Sequence, residues 1–136
     1  MNLPVIALSA TLILSSIHSA HAGAHYSTLK EIQCLSAIMY SEARGEPELG
    51  KLAIAHASIN RAKRSARSTC KIHGVTRRSI PTVDKPYFKT LAAKALFSKR
   101  NPIGKADSWN TSRKPAHKGK VTAIIGAHVF YVMNDL

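Results

Sequence analysis

A small α+β domain is the fold class the sequence predicts, with helices first and a small antiparallel sheet late. Three observations predict it. Residues 27–45 and 46–64 are consecutive stretches with apolar residues at helical spacing. Residues 85–100 repeat that spacing after a long basic, Gly- and Pro-broken segment. The closing run "VTAIIGAHVFYVM" is rich in β-branched and aromatic residues, which reads as strand. At 136 residues the chain has the length of one compact domain.

The first stretch differs from the rest. "LPVIALSATLILSSI" carries no charge, and Ala20-His21-Ala22 has the small-x-small pattern of a signal-peptidase site. Residues 1–22 therefore read as a secretory signal, and 23–136 as the mature domain. The apolar run is short for a membrane span, so no stable span is expected after cleavage. A buried N-terminal helix and a retained, weakly apolar anchor are the alternatives. Export makes a disulfide between Cys34 and Cys70 the expected state of the two cysteines, with free buried thiols as the alternative.

The first helix is "STLKEIQCLSAIMYSEARG". Thr28 and Glu31 have capping-box spacing, and Leu29, Ile32, Leu35, Ile38 and Met39 form its stripe. Gly45 is the expected left-handed stop. Pro47 suits the first turn of the second helix, with Glu46 and Glu48 at its favourable dipole end. Its inner face is expected to be Leu49, Leu52, Ala53, His56 and Ile59, with His56 a hydrogen-bonded core residue. Pro86 opens the third helix, whose stripe is Phe88, Leu91, Ala92, Ala95 and Leu96. "ADSW" is a candidate short strand. Gly126 interrupts the closing strand, as a bulge or a close approach of another backbone would.

Charge narrows the partner. The formal charge is +13, and residues 61–120 hold 17 of the 20 basic residues with only Asp84 and Asp107 as acids. Such a field favours a polyanion. Outside the cytoplasm the polyanions are wall polymers and lipid surfaces rather than nucleic acid. A cytoplasmic nucleic-acid binder remains the competing reading if the leader is not cleaved. Neither Cys-x-x-Cys nor His-Glu-x-x-His occurs, so no metal or other cofactor is expected. Gly-x-Ser-x-Gly is also missing.

The seven carboxylates can then be sorted. Glu31 reads as a cap, Glu46 and Glu48 as helix starters, Asp84 as a loop residue, and Asp135 lies next to the last residue. Asp107, beside Trp109, is a possible second site group. Glu42 continues the apolar stripe of the first helix at its C-terminal end. Partial burial and the helix dipole there both disfavour a charged carboxylate, the setting of a general acid.

These residues carry a resemblance. "CLSAIMYSEARGEPELGKLAIAHASINRAK" resembles the opening of the SleB-like cell-wall hydrolases: Tyr40, Glu42 to Glu46, Gly50, Ala53, Ala55, Asn60 and Arg61 match its pattern. "IGAHVFY", residues 125 to 131, resembles the family's closing strand, and Cys34 and Cys70 fall where many members have cysteines. The resemblance implies a lysozyme-like fold that cleaves peptidoglycan glycan strands between N-acetylmuramic acid and N-acetylglucosamine. It implies that Glu42 is the catalytic acid/base. Because one carboxylate alone is well placed, a lytic transglycosylase giving 1,6-anhydro products is the leading expectation. Lysozyme-type hydrolysis of the same bond, also in a phage endolysin, and a non-catalytic wall-binding module are the alternatives.

Lesser roles follow. Trp109 and Tyr40 are candidate sugar-binding residues, although Tyr40 lies about 200° around the helix from Glu42. His128 and Tyr131 are candidates on a strand with one face to the cleft and the other to the core. Arg44, Gly45, Glu46, Asn60 and Arg61 are expected to hold the framework. The expected protein is a secreted or periplasmic monomer.

Overall fold

The computed structural model describes the backbone of residues 16–111 and 119–133, and side chains from residue 27 onward within them. Most of the expected leader, and Asp135, lie outside the described residues. Helix α1 spans Ser16–Ala43, α2 Glu48–Arg64 and α3 Lys85–Phe97. A single 3-10 turn, Thr69–Lys71, punctuates the basic segment. Strands β1 (Ser108–Asn110), β2 (Lys120–Ile125) and β3 (His128–Val132) form an antiparallel sheet in the order β1-β3-β2. The α+β expectation therefore holds, helices first and sheet last.

Helix α2 organises the core. It packs against α1 and α3 on one side and against β1 and β2 on the other. Gly50, Lys51, Ala53, Ile54, Ala55, His56, Ala57, Ser58 and Ala62 are all buried, so burial runs almost all round the helix. The expected single stripe is corrected here: Leu49 is exposed, and Leu52 and Ile59 are only half-buried. Small residues let helices and strands approach one axis from several sides, which a one-faced stripe does not anticipate. Leu35, Ile38 and Met39 of α1, Phe88 and Leu91 of α3, and Phe130 of β3 close around it. The α3 stripe is as expected, except that Leu96 is half-buried.

Three local expectations fail for physical reasons. Helix α1 runs straight through Thr28, so no capping box forms there. Glu31 instead accepts hydrogen bonds from the backbone N–H (3.0 Å) and the hydroxyl of Thr69. Gly45 is not in the left-handed region; Gly74, Gly104 and Gly126 are the described glycines that are. The α1–α2 corner is closed by the Glu46 N–H donating to the Ala43 carbonyl at 3.0 Å, and Pro47 then starts α2. Finally, "VTAIIGAHVFYVM" is not one strand. Gly126 (φ 59°) and Ala127 turn the chain, making a β2–β3 hairpin. A register shift sits between Val121 and Ala123.

The cysteines form the expected disulfide, Cys34 to Cys70, with Cα atoms 5.2 Å apart. It fastens the 3-10 turn to α1. A loop closed over this separation is stabilised by about 3–4 kcal/mol in the chain-entropy model.

Candidate active site

Glu42 occupies the last turn of α1, half-buried, continuing the stripe that buries Leu35, Ile38 and Met39. The segment after the 3-10 turn folds back along this helix end. Ser41 Oγ accepts from the Arg78 N–H at 2.6 Å, and Glu42 Oε1 accepts from the Thr76 N–H at 2.9 Å. From the sheet side, the Trp109 indole N–H reaches Glu42 Oε2 at 3.5 Å, a long contact. A helix end, a loop and a strand thus converge on one carboxylate.

Trp109 is itself held by α2. The Arg61 guanidinium stacks over its ring, 4.7 Å from the centroid. Arg61 also donates to the carbonyls of Asp107 (2.7 Å) and His73 (3.1 Å), spanning strand and loop. Burial pulls its pKa below the usual arginine value, opposed mainly by Asp107 and, to lesser degrees, by Tyr131 and Glu42; Arg64 adds to the lowering. Asn60, one residue earlier, donates to the carbonyls of Gly104 (2.8 Å) and Ala106 (2.7 Å). The Asn60-Arg61 pair is therefore a bracket for the segment that leads into Trp109.

Glu46 does different work. Its side chain lies over Gly50, where a Cβ would come within 2.9 Å of the Glu46 Cβ. Its carboxylate reaches the β2–β3 turn and accepts from the Ala127 N–H at 3.3 and 3.4 Å. A Cβ at Gly126 would run into that carboxylate. Lys51 donates to the Glu46 backbone carbonyl. The His128 Nδ1 is buried without a hydrogen-bond partner, 3.7 Å from Glu46 Oε1. Two glycines make the room, and one glutamate pins the hairpin to the α1–α2 corner.

The other candidates are dispersed. Tyr40 packs edge-on against Phe88 of α3 at 5.4 Å, with Arg44 5.7 Å over its ring, away from the Glu42 contacts. Gly45 is exposed. His128 and Tyr131 are three apart, so strand alternation puts them on opposite faces and no shared cleft face exists. His128 shares a face with Phe130, and both candidates are buried to 4% exposure in the central strand. Asp107 is not a second site group in this arrangement. It is buried, ion-paired with Arg64 at 2.8 Å, and accepts from the Ser108 hydroxyl and the Met133 N–H.

Two features escaped sequence reading. The Thr76 backbone donor sits in a loop with no pattern of its own. The Glu46 clamp depends on a hairpin 81 residues away; its only signal was the pair Gly50 and Gly126. Among the described residues, no group of three or more His, Cys, Asp and Glu side chains is arranged to hold a metal ion.

Three packed helices with a small three-stranded antiparallel sheet match the fold of SleB catalytic domains. The catalytic domain of the germination-specific lytic transglycosylase SleB from Bacillus anthracis matches with a TM-score of 0.56 and 21% identity, over 74% of this chain and 93% of that one. The catalytic domain of the Bacillus cereus SleB protein matches with a TM-score of 0.51 and 20% identity, over 76% and 90%. At these identities the likeness is one of fold. No family model and no curated protein matches the sequence.

Proposed function

We propose that this protein is an exported enzyme that cleaves peptidoglycan glycan strands between N-acetylmuramic acid and N-acetylglucosamine, as a lytic transglycosylase. The observation that carries the reading is the Glu42 carboxylate, half-buried between the Thr76 N–H and the Trp109 indole, with no second carboxylate among its hydrogen-bond partners within the described residues. The fold shared with a SleB lytic transglycosylase domain supports the same class.

One carboxylate is enough for this route. Glu42 in its acid form gives its proton to the glycosidic oxygen as the bond to muramic acid C1 breaks. The resulting carboxylate then takes the proton of the sugar's own C6 hydroxyl, and that oxygen bonds to C1. The acid form is regenerated, and the product is a 1,6-anhydro sugar without water being consumed. Hydrolysis in the lysozyme manner generally uses two carboxylates, and Asp107 is committed to Arg64. Thr76 and Trp109 fix where the Glu42 oxygens sit, and Arg61 fixes Trp109. The basic surface would attract the anionic wall before cleavage, and the chain acts as a monomer after loss of residues 1–22.

Mass spectrometry of digested peptidoglycan tests this. Anhydro-muramic ends are the expected products, and they should vanish with Glu42→Gln. Reducing muramic ends alone would assign hydrolysis instead. Wall pelleting without any cleavage by the native protein would leave a binding module.

A further inference from the structure

A shallow basic cavity of about 490 Å³ is formed by the segment that leads into Thr76, lined by Arg67, Cys70, Lys71, Ile72, His73 and Arg77. No carboxylate lines it. Glu31, which holds Thr69, is not part of its wall. Arg67, Lys71, His73 and Arg77 are exposed, and no ion pair joins any of them to a carboxylate among the described residues. The disulfide through Cys70 and the buried Ile72 give it a fixed floor.

The side chains are partly organised. Arg77 donates to the carbonyls of Thr69 (2.8 Å) and Ile72 (2.9 Å), which braces the 3-10 turn. Arg67 donates to His73 Nε2 at 2.5 Å, which aligns both over the cavity. Lys71 is the cation with no such duty. The cavity also connects to the catalytic carboxylate. Arg61 bonds the His73 carbonyl and stacks on Trp109, whose indole meets Glu42. His73 is three residues before Thr76, a backbone span of at most about 10 Å.

We propose that this cavity binds a carboxylate of the peptide stem carried by the muramic acid being cleaved. The inference rests on the glycan-cleaving reading of Glu42 and assigns that site a second substrate element. A muramic acid residue carries its peptide on C3 of the same ring whose C1 reacts. The stem therefore leaves the glycan within reach of a pocket beside the carboxylate. Its free carboxylates are the anionic groups of an otherwise uncharged strand. Arg67 offers planar paired N–H donors and Lys71 a mobile point charge, a pairing suited to a carboxylate on a flexible peptide.

The test compares cleavage of soluble glycan strands that keep free stem carboxylates with the same strands after chemical amidation of those carboxylates. The native protein should prefer the free-carboxylate strands by about tenfold in kcat/KM, the worth of one charge-assisted hydrogen bond. Lys71→Ala should reduce that preference, and Arg67→Ala with Lys71→Ala should bring it to near parity. A native protein without the preference, or variants that keep it, would overturn the proposal. If the native protein cleaves neither strand, the enzymatic reading falls and the cavity is judged separately. The free tetrapeptide stem is then titrated into the labelled protein while the His73 ring signals are followed. Saturating shifts, absent in Lys71→Ala, would uphold the site; unmoved signals would reject it. Inorganic phosphate moving those signals as strongly as the peptide would replace the stem with a phosphate polymer as the ligand.

Discussion

Glu42 and Glu46 are four residues apart, on either side of one helix corner, and meet opposite surroundings. Glu42 ends a helix and faces a loop donor and an indole across a half-open space. Glu46 lies packed over Gly50 and Gly126 and caps a hairpin turn. Both carboxylates accept backbone N–H groups, so donor type does not separate them. What separates them is what the partner can do without them. The Thr76 loop has other anchors, in the disulfide and in Ser41. The Ala127 turn and the buried His128 have Glu46 as their acidic partner. Chemistry is thus expected from the first glutamate and architecture from the second.

The largest break in that comparison comes from Glu42→Gln. Removing the acid should lower glycan cleavage by about 10²–10⁴-fold, the range for a positioned general acid/base. The amide is isosteric and its carbonyl can still accept from Thr76, so the unfolding midpoint should move by less than about 0.5 kcal/mol equivalent. Product assays and thermal unfolding on the same sample check both halves. A large loss of stability would put Glu42 in the same structural role as Glu46.

Removing the disulfide with Cys34→Ala and Cys70→Ala comes next. A cost of about 3–4 kcal/mol is expected from denaturant unfolding. The loss should be felt on the Glu42 side first, because Cys70 fastens the turn that precedes Thr76. Hydrogen exchange should speed up at Thr76 and Arg78 before it does at Ala127. Equal acceleration at both sites would mean that the two halves of the corner are not independently held.

Glu46→Ala should reverse the Glu42 pattern. Losing the hydrogen bonds to the exposed Ala127 N–H costs about 0.5–1.5 kcal/mol. Activity per folded molecule should fall much less than with Glu42→Gln. Gly126→Ala tests the same clamp from the other side. It puts a non-glycine residue at φ 59°, costing about 1–2 kcal/mol, and also displaces the Glu46 carboxylate. The double variant should cost less than the sum, since both changes break one contact.

How much of this contrast was legible follows the range of the interactions. The half-buried place of Glu42 at the end of α1 was legible because helical periodicity is local: a charged residue on an apolar stripe stands out within one turn or two. The helices themselves, and the short strand at Trp109, came from the same kind of pattern. The all-round burial of α2 was hidden because alanine and glycine carry little hydrophobic signal, yet they let neighbours come close. The hairpin was read as one strand because Gly126 and Ala127 lack the usual paired turn residues. With the hairpin missed, the clamp on Ala127 could not be foreseen, and His128 and Tyr131 were given a common cleft that strand alternation forbids. The Thr76 donor and the basic cavity depend on how a loop folds, and residue types do not encode that.

The smallest expected effect separates fold from site as pH falls. Burial pushes the His56 pKa below its ordinary value, Lys63 adds to this, and a backbone hydrogen bond with Arg100 works against it. The folded protein therefore keeps His56 neutral where the unfolded chain takes up a proton. Stability from this group is complete above about pH 6.5 and is lost as pH falls toward the folded-state pKa, with a slope below about 1.4 kcal/mol per pH unit. His56→Gln should remove that slope from urea unfolding measured between pH 4 and 8. Glycan cleavage per folded molecule at neutral pH should be unchanged in the same variant, because His56 is not among the contacts that hold Glu42, Trp109 or Arg61. If cleavage per folded molecule falls together with the slope, the buried face of α2 and the Glu42 end of the corner are not independently held.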